Sequence, residues 1–379
     1  MKKEKYLECK KILKGFLKKG YWTTFSSADI FYIQSTTKNK ALFTFVEQFF
    51  NDAYGVQLFS TTDGFNYVHD ILTTAEQSTV TLCDCDSICA IFVSRNDLKE
   101  EEINFLKSNK IRIMETNNLL IYRYQPGYNQ RLVTDKELQT LLNHLEYLDS
   151  IIPNEYEDLK ECFKEGNTAV CLMNLEEMQY AMVYRPLPYL ETKIKLEKIN
   201  VQFVEEFKDT HYVDDECYAC ISYIPVSIRE SGIRPLLVYF SFPKLNKHYF
   251  KYILQGPKEY KNVYFGILYE VFTEIGVPIK MIFNNRAIYS LVNKTISALN
   301  IEHSFIRENV EQDGNVNDFI AKLYRRTNQD FVEDESILKE LLETMTQALN
   351  AMNYTDDGFY DEDEDEDFID IDSNNKFVS

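Results

Sequence analysis

Cys217 and Cys220 stand three residues apart, His211 precedes them, and Cys83, Cys85 and Cys89 form a second group of thiols. Thiolates and imidazoles are the ligands a tetrahedral zinc ion takes. A structural zinc site would also show a second CxxC or a histidine pair at ligand spacing, and the chain has neither. On a strand, residues three apart point to opposite faces, so these five thiols read as small packed hydrophobes. A cysteine nucleophile would need a histidine base near it in space. The histidines are His69, His144, His211, His248 and His303, and none has a local signature around it. Cys220 with His248 on a neighbouring strand is the pairing to test, while His144 reads as a surface or boundary residue of a helix.

Carboxylates offer a different chemistry. Asp214, Asp215, Glu216, Asp313 and Asp318 lie near strand ends in the second half. Two or three of them converging on one point could hold Mg²⁺. Glycine-rich phosphate loops of the GxGxxG or GxxxxGK[ST] type do not occur. Arg325-Arg326, Arg229 and Arg234 are basic but isolated, which reads as solvated surface.

The elements that must position these groups follow from periodicity. Ala219–Pro225, Pro235–Pro243 and Tyr249–Leu254 are strand-like. A helix over Asn262–Ile275 places Phe265, Leu268, Phe272 and Ile275 on one face. Strand Ile279–Phe283, a helix carrying Ile288, Leu291, Val292, Thr295 and Leu299, and strand Asn300–Phe305 complete the series. Asn200–Lys208 is open between helix and strand.

The first half is mixed as well. Residues 2–19 form an amphipathic helix with Tyr6, Cys9, Leu13, Phe16 and Leu17 on one face and lysines on the other. That face could serve a membrane surface or nucleic acid, or be the solvated side of a docked helix. Asp29–Ser35 and Ala41–Phe45 are strands, Val46–Ala53 reads as a helix, and Val56–Phe59, Thr79–Cys83, Ile88–Val93, Ile111–Glu115 and Leu119–Tyr124 as further strands. Asp97 is expected to cap a helix reaching Asn109. Thr134 and Glu137 form a capping box for a helix that Pro153 ends. Glu155–Lys164 is then a separate polar connector. Thr168–Leu172 and Gln179–Tyr184 are strands.

The chain has 379 residues and is 45% hydrophobic and 14% aromatic, which allows two cores of ordinary size. No apolar run reaches the roughly 18 residues that span a bilayer. No secretory h-region follows the first lysines, so the expected compartment is the cytoplasm, with reduced thiols. The formal net charge is −19 and unevenly placed. Eleven acids and no base lie between Asp356 and Asp372, whereas the first twenty residues hold eight lysines against Glu4 and Glu8. Charge of this sign repels nucleic acid at long range but leaves a local contact possible. The acidic run is low in complexity and expected to be disordered. It could act as a solubility tail, fold back on the first helix, or dock on a protein partner.

Two family resemblances rest on these segments. Asp29–Ile33, Gly55–Phe59 with Asp63-Gly64, Asp97-Leu98, Tyr124–Tyr128 and Leu132–Glu137 resemble an uncharacterised bacterial family, a domain of unknown function. That domain is usually joined to a second one, which Gly276-Val277-Pro278 through Leu299-Asn300-Ile301 resembles. This implies a bacterial or mobile-element origin and no activity. Ala219-Cys220-Ile221-Ser222-Tyr223-Ile224-Pro225 also resembles the first strand of an integrase or transposase core. Asn284-Asn285-Arg286, Asn300–Phe305 and Asp313–Phe319 resemble its later motifs. The resemblance implies a ribonuclease-H-like fold with metal-binding acids at three positions. Here those positions hold Cys220, Asn284 and Asn317.

The expected architecture is therefore an N-terminal mixed α+β domain (1–153) and connecting elements (154–215). A ribonuclease-H-like three-layer α/β domain (216–327), an amphipathic helix (328–355) and an acidic tail (356–379) follow. The expected role is a non-catalytic binding or regulatory module with no cofactor and no metal. Its alternatives are a nuclease or transposase-like enzyme with displaced acids, and an interaction protein of a mobile element that docks through its tail.

Overall fold

The computed structural model describes residues 3–34, 40–49, 53–61, 64, 65, 68, 86–174, 179–186, 196–224, 227, 228, 232–256, 259–305, 331 and 332, together with part of a helix between 336 and 347. Thr79–Cys83, Asn317 and the acidic run lie outside the described residues.

The chain opens with α1 (Lys3–Lys18) and the short α2 (Tyr21–Thr24), then β1 (Ile30–Gln34), β2 (Lys40–Phe49), β3 (Ala53–Phe59) and β4 (Ser87–Val93). There follow α3 (Glu100–Ser108), β5 (Asn118–Tyr124), β6 (Arg131–Leu132), α4 (Asp135–Lys164), β7 (Thr168–Asn174) and β8 (Gln179–Arg185). All eight strands join one sheet in the order β6-β5-β4-β3-β2-β1-β7-β8. Only the β1–β7 pair is parallel. The amphipathic pattern of α1 is used as expected: Tyr6, Cys9, Ile12, Leu13 and Phe16 are buried, and the helix packs on α4. Phe16, Tyr21, Phe25, Phe31 and Phe45 meet in a run of tilted, stacked and edge-on ring contacts that joins α1, α2 and the sheet.

Several expectations are corrected here. Val46–Ala53 is no helix: β2 continues to Phe49 and pairs with β3 through a register shift, so sheet pairing overrides local propensity. Ile111–Glu115 is loop; the Asn118 amide accepts from Met114 N and donates to Met114 O, both at 2.8 Å, and so ties the segment off. Asp97 does not cap α3. It accepts from the Ser94 hydroxyl, while Lys99 is the N-cap and its N–H donates to Glu102 at 2.8 Å. Pro153 does not end a helix either. It lies inside the 30-residue α4, which buries Leu138, Leu141, Leu145, Leu148, Ile151 and Ile152 before the proline and Leu159 and Cys162 beyond it. A mid-helix proline costs on the order of 3 kcal/mol, which burial on both sides outweighs. The Thr134–Glu137 capping box forms as expected, with Thr134 N donating to Glu137 at 2.8 Å.

The second half begins with α5 (Val201–Phe207), capped by Asn200, whose side chain accepts from Phe203 N at 3.2 Å. Then come β9 (Tyr212–Tyr223), β10 (Ser227–Ile228), β11 (Leu236–Phe242), β12 (Lys247–Ile253), α6 (Tyr260–Glu274), β13 (Val277–Phe283), α7 (Arg286–Ala298) and β14 (Glu302–Phe305). The sheet order is β12-β11-β9-β13-β14, with β11 antiparallel to both neighbours and β9, β13 and β14 parallel. Its core joins Cys217 and Ala219 of β9 and Val238 and Phe240 of β11 to Tyr264, Leu268 and Phe272 of α6 and Val292 of α7. The two halves touch where Asn129 N donates to Gly232 O at 2.7 Å and Arg234 N donates to Gly127 O at 3.0 Å. The whole is a mixed α+β chain with two mixed sheets.

Candidate functional site

Parallel strands focus ligand sites at their carboxyl ends, and β13 ends beside β9, which runs on to Tyr223. Their ladder closes at Phe283 opposite Ala219, one residue before Asn284 and Cys220 respectively. The expected positions 220 and 284 are therefore brought together. Asn284 turns its side-chain oxygen back onto β9 and accepts the N–H of Ile221 at 3.1 Å. Cys220 is 2% exposed and sits opposite Tyr239 of β11, itself buried.

The nearby carboxylates are committed elsewhere. Asp215 is 1% exposed, and its carboxylate accepts from Glu216 N at 2.8 Å, Lys244 N at 3.2 Å and Leu245 N at 2.9 Å. It thus holds the turn between β11 and β12. Glu216 pairs with Lys280 across the β9–β13 ladder at 2.9 Å, and Asp214 is exposed beside Lys244. Glu216 lies four residues before Cys220, roughly 13 Å along a strand. Asp313 and Asp318 fall outside the described residues. Among the described residues no group of three or more His, Cys, Asp or Glu is placed to hold a metal ion.

The thiols and histidines resolve in the same way. Cys217 faces the helix-side core and Cys220 the opposite face, so the CxxC does not converge. Burial pushes the Cys217 thiol well above its ordinary range. Cys9, Cys89, Cys162 and Cys171 are buried; Cys83 and Cys85 lie outside the described residues. Cys220 and His248 are not on neighbouring strands, because β11 runs between β9 and β12. His248 instead stacks on Tyr239 with ring centroids 5.9 Å apart. His144 is buried rather than at the surface: Nδ1 lies 2.7 Å from Thr140 O, and burial lowers its pKa. Arg234, read as solvated, is 6% exposed, and its Nε donates to Ile224 O at 3.0 Å. Arg229 and Arg325-Arg326 lie outside the described residues.

Two features escaped sequence reasoning. His303 places Nε2 2.7 Å from Ser297 Oγ and Nδ1 3.3 Å from the Tyr289 hydroxyl, which fastens β14 to α7. Ser297 already donates to Asn293 O at 2.9 Å, so this contact positions the strand and leaves no activated hydroxyl. The Tyr264 hydroxyl is enclosed near Cys217 and Cys220 without a hydrogen-bond partner, and burial raises its pKa. No periodicity signals either arrangement, since both depend on which residues the sheet order brings together.

Residues 8–174 match a domain of unknown function, DUF7309. The DUF7309 match runs from α1 through β7 and so passes straight across Pro153. It accords with the likeness of the first half to an uncharacterised family and carries no activity with it. No curated protein and no solved structure matches the chain. No described helix is long and apolar enough to cross a membrane.

Proposed function

We propose that residues 212–305 form a ribonuclease-H-like unit that lacks its metal site, and that the protein works as a non-catalytic binding or regulatory module. Support for the fold comes from the succession of three strands, helix, strand, helix, strand. The first strand of that set is central and β13 lies beside it, so the end of β13 reaches Cys220 of β9, where the integrase-like resemblance implies acids. The observation that carries the functional reading is the Asn284–Ile221 bond. A neutral amide spends its oxygen on the backbone at a position where a carboxylate would have to face a cation. With Cys220 buried next to it, the pair offers no anionic cradle for the ions of a two-metal reaction.

The test is a nuclease assay on the purified full chain, using labelled single-stranded, double-stranded and hybrid nucleic acid with Mg²⁺ or Mn²⁺. No cleavage above a chelated control is expected. Cleavage that needs the metal and is lost in Asp313→Asn or Asp318→Asn would overturn the reading and favour displaced acids.

A further inference from the structure

The outer face of α1 has no role in the core. Lys3, Leu7, Lys10, Lys14 and Lys18 recur at three- and four-residue spacing and form one stripe that borders the buried Tyr6, Cys9, Leu13 and Phe16, with Lys10 and Lys14 half-buried. Among the described residues, Lys3, Lys10, Lys14 and Lys18 make no ion pair; Lys11 pairs with Glu8 and Lys19 with Asp149. Leu7 is 45% exposed in the middle of the stripe. The Lys10 ammonium is made less basic, first by burial and then by the neighbouring Lys14. This is a cationic ridge with an apolar step in it, on a chain whose net charge is −19.

The sequence contains one strongly complementary segment. Asp356–Asp372 has eleven acids and no base, and Phe359, Tyr360, Phe368, Ile369 and Ile371 are interleaved with them. Such a segment offers carboxylates to the lysines and an apolar side chain to Leu7. Being on the same chain, it meets the stripe at an effective concentration set by the connecting segment and not by the protein concentration. We propose that Asp356–Asp372 docks in cis on the lysine stripe of α1 and shields it from other polyanions. The proposal stands independently of the ribonuclease-H-like reading of residues 212–305.

Zero-length carbodiimide cross-linking of the full chain, read by peptide mass spectrometry, tests this directly. Mixing isotope-labelled with unlabelled protein separates links within a chain from links between chains. Expected are intrachain links from the tail acids to Lys3, Lys10, Lys14 and Lys18, falling about fivefold or more between 0.05 and 0.5 M NaCl because exposed charges are screened within a few ångströms at high salt. Neutralising the stripe as Lys10→Gln, Lys14→Gln and Lys18→Gln should lower the yield at the retained Lys3 by a similar factor. The salt series on the unaltered protein makes the test independent of how the triple variant folds. Links spread evenly over other lysines such as Lys136, Lys160 and Lys244, links only between chains, or no tail links at all would each overturn the proposal.

Discussion

The Asn284 side-chain oxygen accepts the N–H of Ile221 at 3.1 Å, which ties the end of β13 to β9 one residue beyond Cys220. An aspartate could accept the same bond, so the geometry of the strand ends does not itself require asparagine. What the amide omits is charge. Asn284→Asp should therefore fold with little change in stability and gain no Mg²⁺-dependent cleavage, because a single carboxylate beside a buried thiol does not make a two-ion site. Asn284→Ala strands the Ile221 N–H and should cost roughly 1–3 kcal/mol in urea denaturation. An Asn284→Asp protein that cleaves DNA with Mg²⁺ would show that further acids converge on this point.

Asp215 separates a structural carboxylate from a ligand. Its oxygens accept from Lys244 N and Leu245 N as well as from its neighbour Glu216 N. Asp215→Ala leaves these donors unmatched beneath the β11–β12 turn. The expected loss is about 2–4 kcal/mol, since hydrogen bonds to charged groups contribute more than neutral ones. Asp214→Ala, one residue away and exposed, should stay within about 0.5 kcal/mol of the parent. Equal effects in the two variants would remove the hairpin role assigned to Asp215.

What could be read from the sequence was set by where the determinants lie. The strands and helices from β9 to β14 carry short-range periodicities and turn residues, and each one expected is found near its place. Val46–Phe49 went to strand because its partner is β3, a contact that no window of local residues contains. Pro153 misled for the converse reason: the break is local, but the packing that carries α4 past it is tertiary. At the candidate site, adjacency of positions 220 and 284 follows from the parallel pairing of β9 with β13. The use of the Asn284 amide as a backbone clip, the sealing of Arg234 and the burial of His144 became visible only with side chains in place.

A pH effect should arise from the start of α4. Burial alone would raise the Glu137 carboxyl, but hydrogen bonds from Arg131 and from the N–H and hydroxyl of Thr134 outweigh it and hold the pKa at about 2. A folded pKa below the ordinary 4.5 means the contribution is complete above that value and is lost as pH falls through it toward 2. Arg131 is 44% exposed and solvent screens the pair, so the contribution is roughly 1 kcal/mol. Denaturant midpoints measured between pH 6 and pH 3 should fall more steeply in the parent than in Glu137→Gln. Parallel slopes would mean that other carboxylates govern acid stability.

Gly276 joins α6 to β13 at a point where a side chain does not fit. Its φ is +121°, and a Cβ placed there would lie 2.5 Å from Val213 Cγ1 of β9. Both conformation and space oppose any other residue, so Gly276→Ala should destabilise by about 2–4 kcal/mol. Gly266 is the matched control, since it lies on the exposed side of α6 with nothing within 4 Å of an added Cβ. Gly266→Ala should stabilise by about 0.5–1 kcal/mol through helix propensity alone. Opposite signs in thermal unfolding of the two single variants are the expected result. If Gly276→Ala is tolerated, the close approach of the α6–β13 turn to Val213 is not what sets the register of β13 against β9.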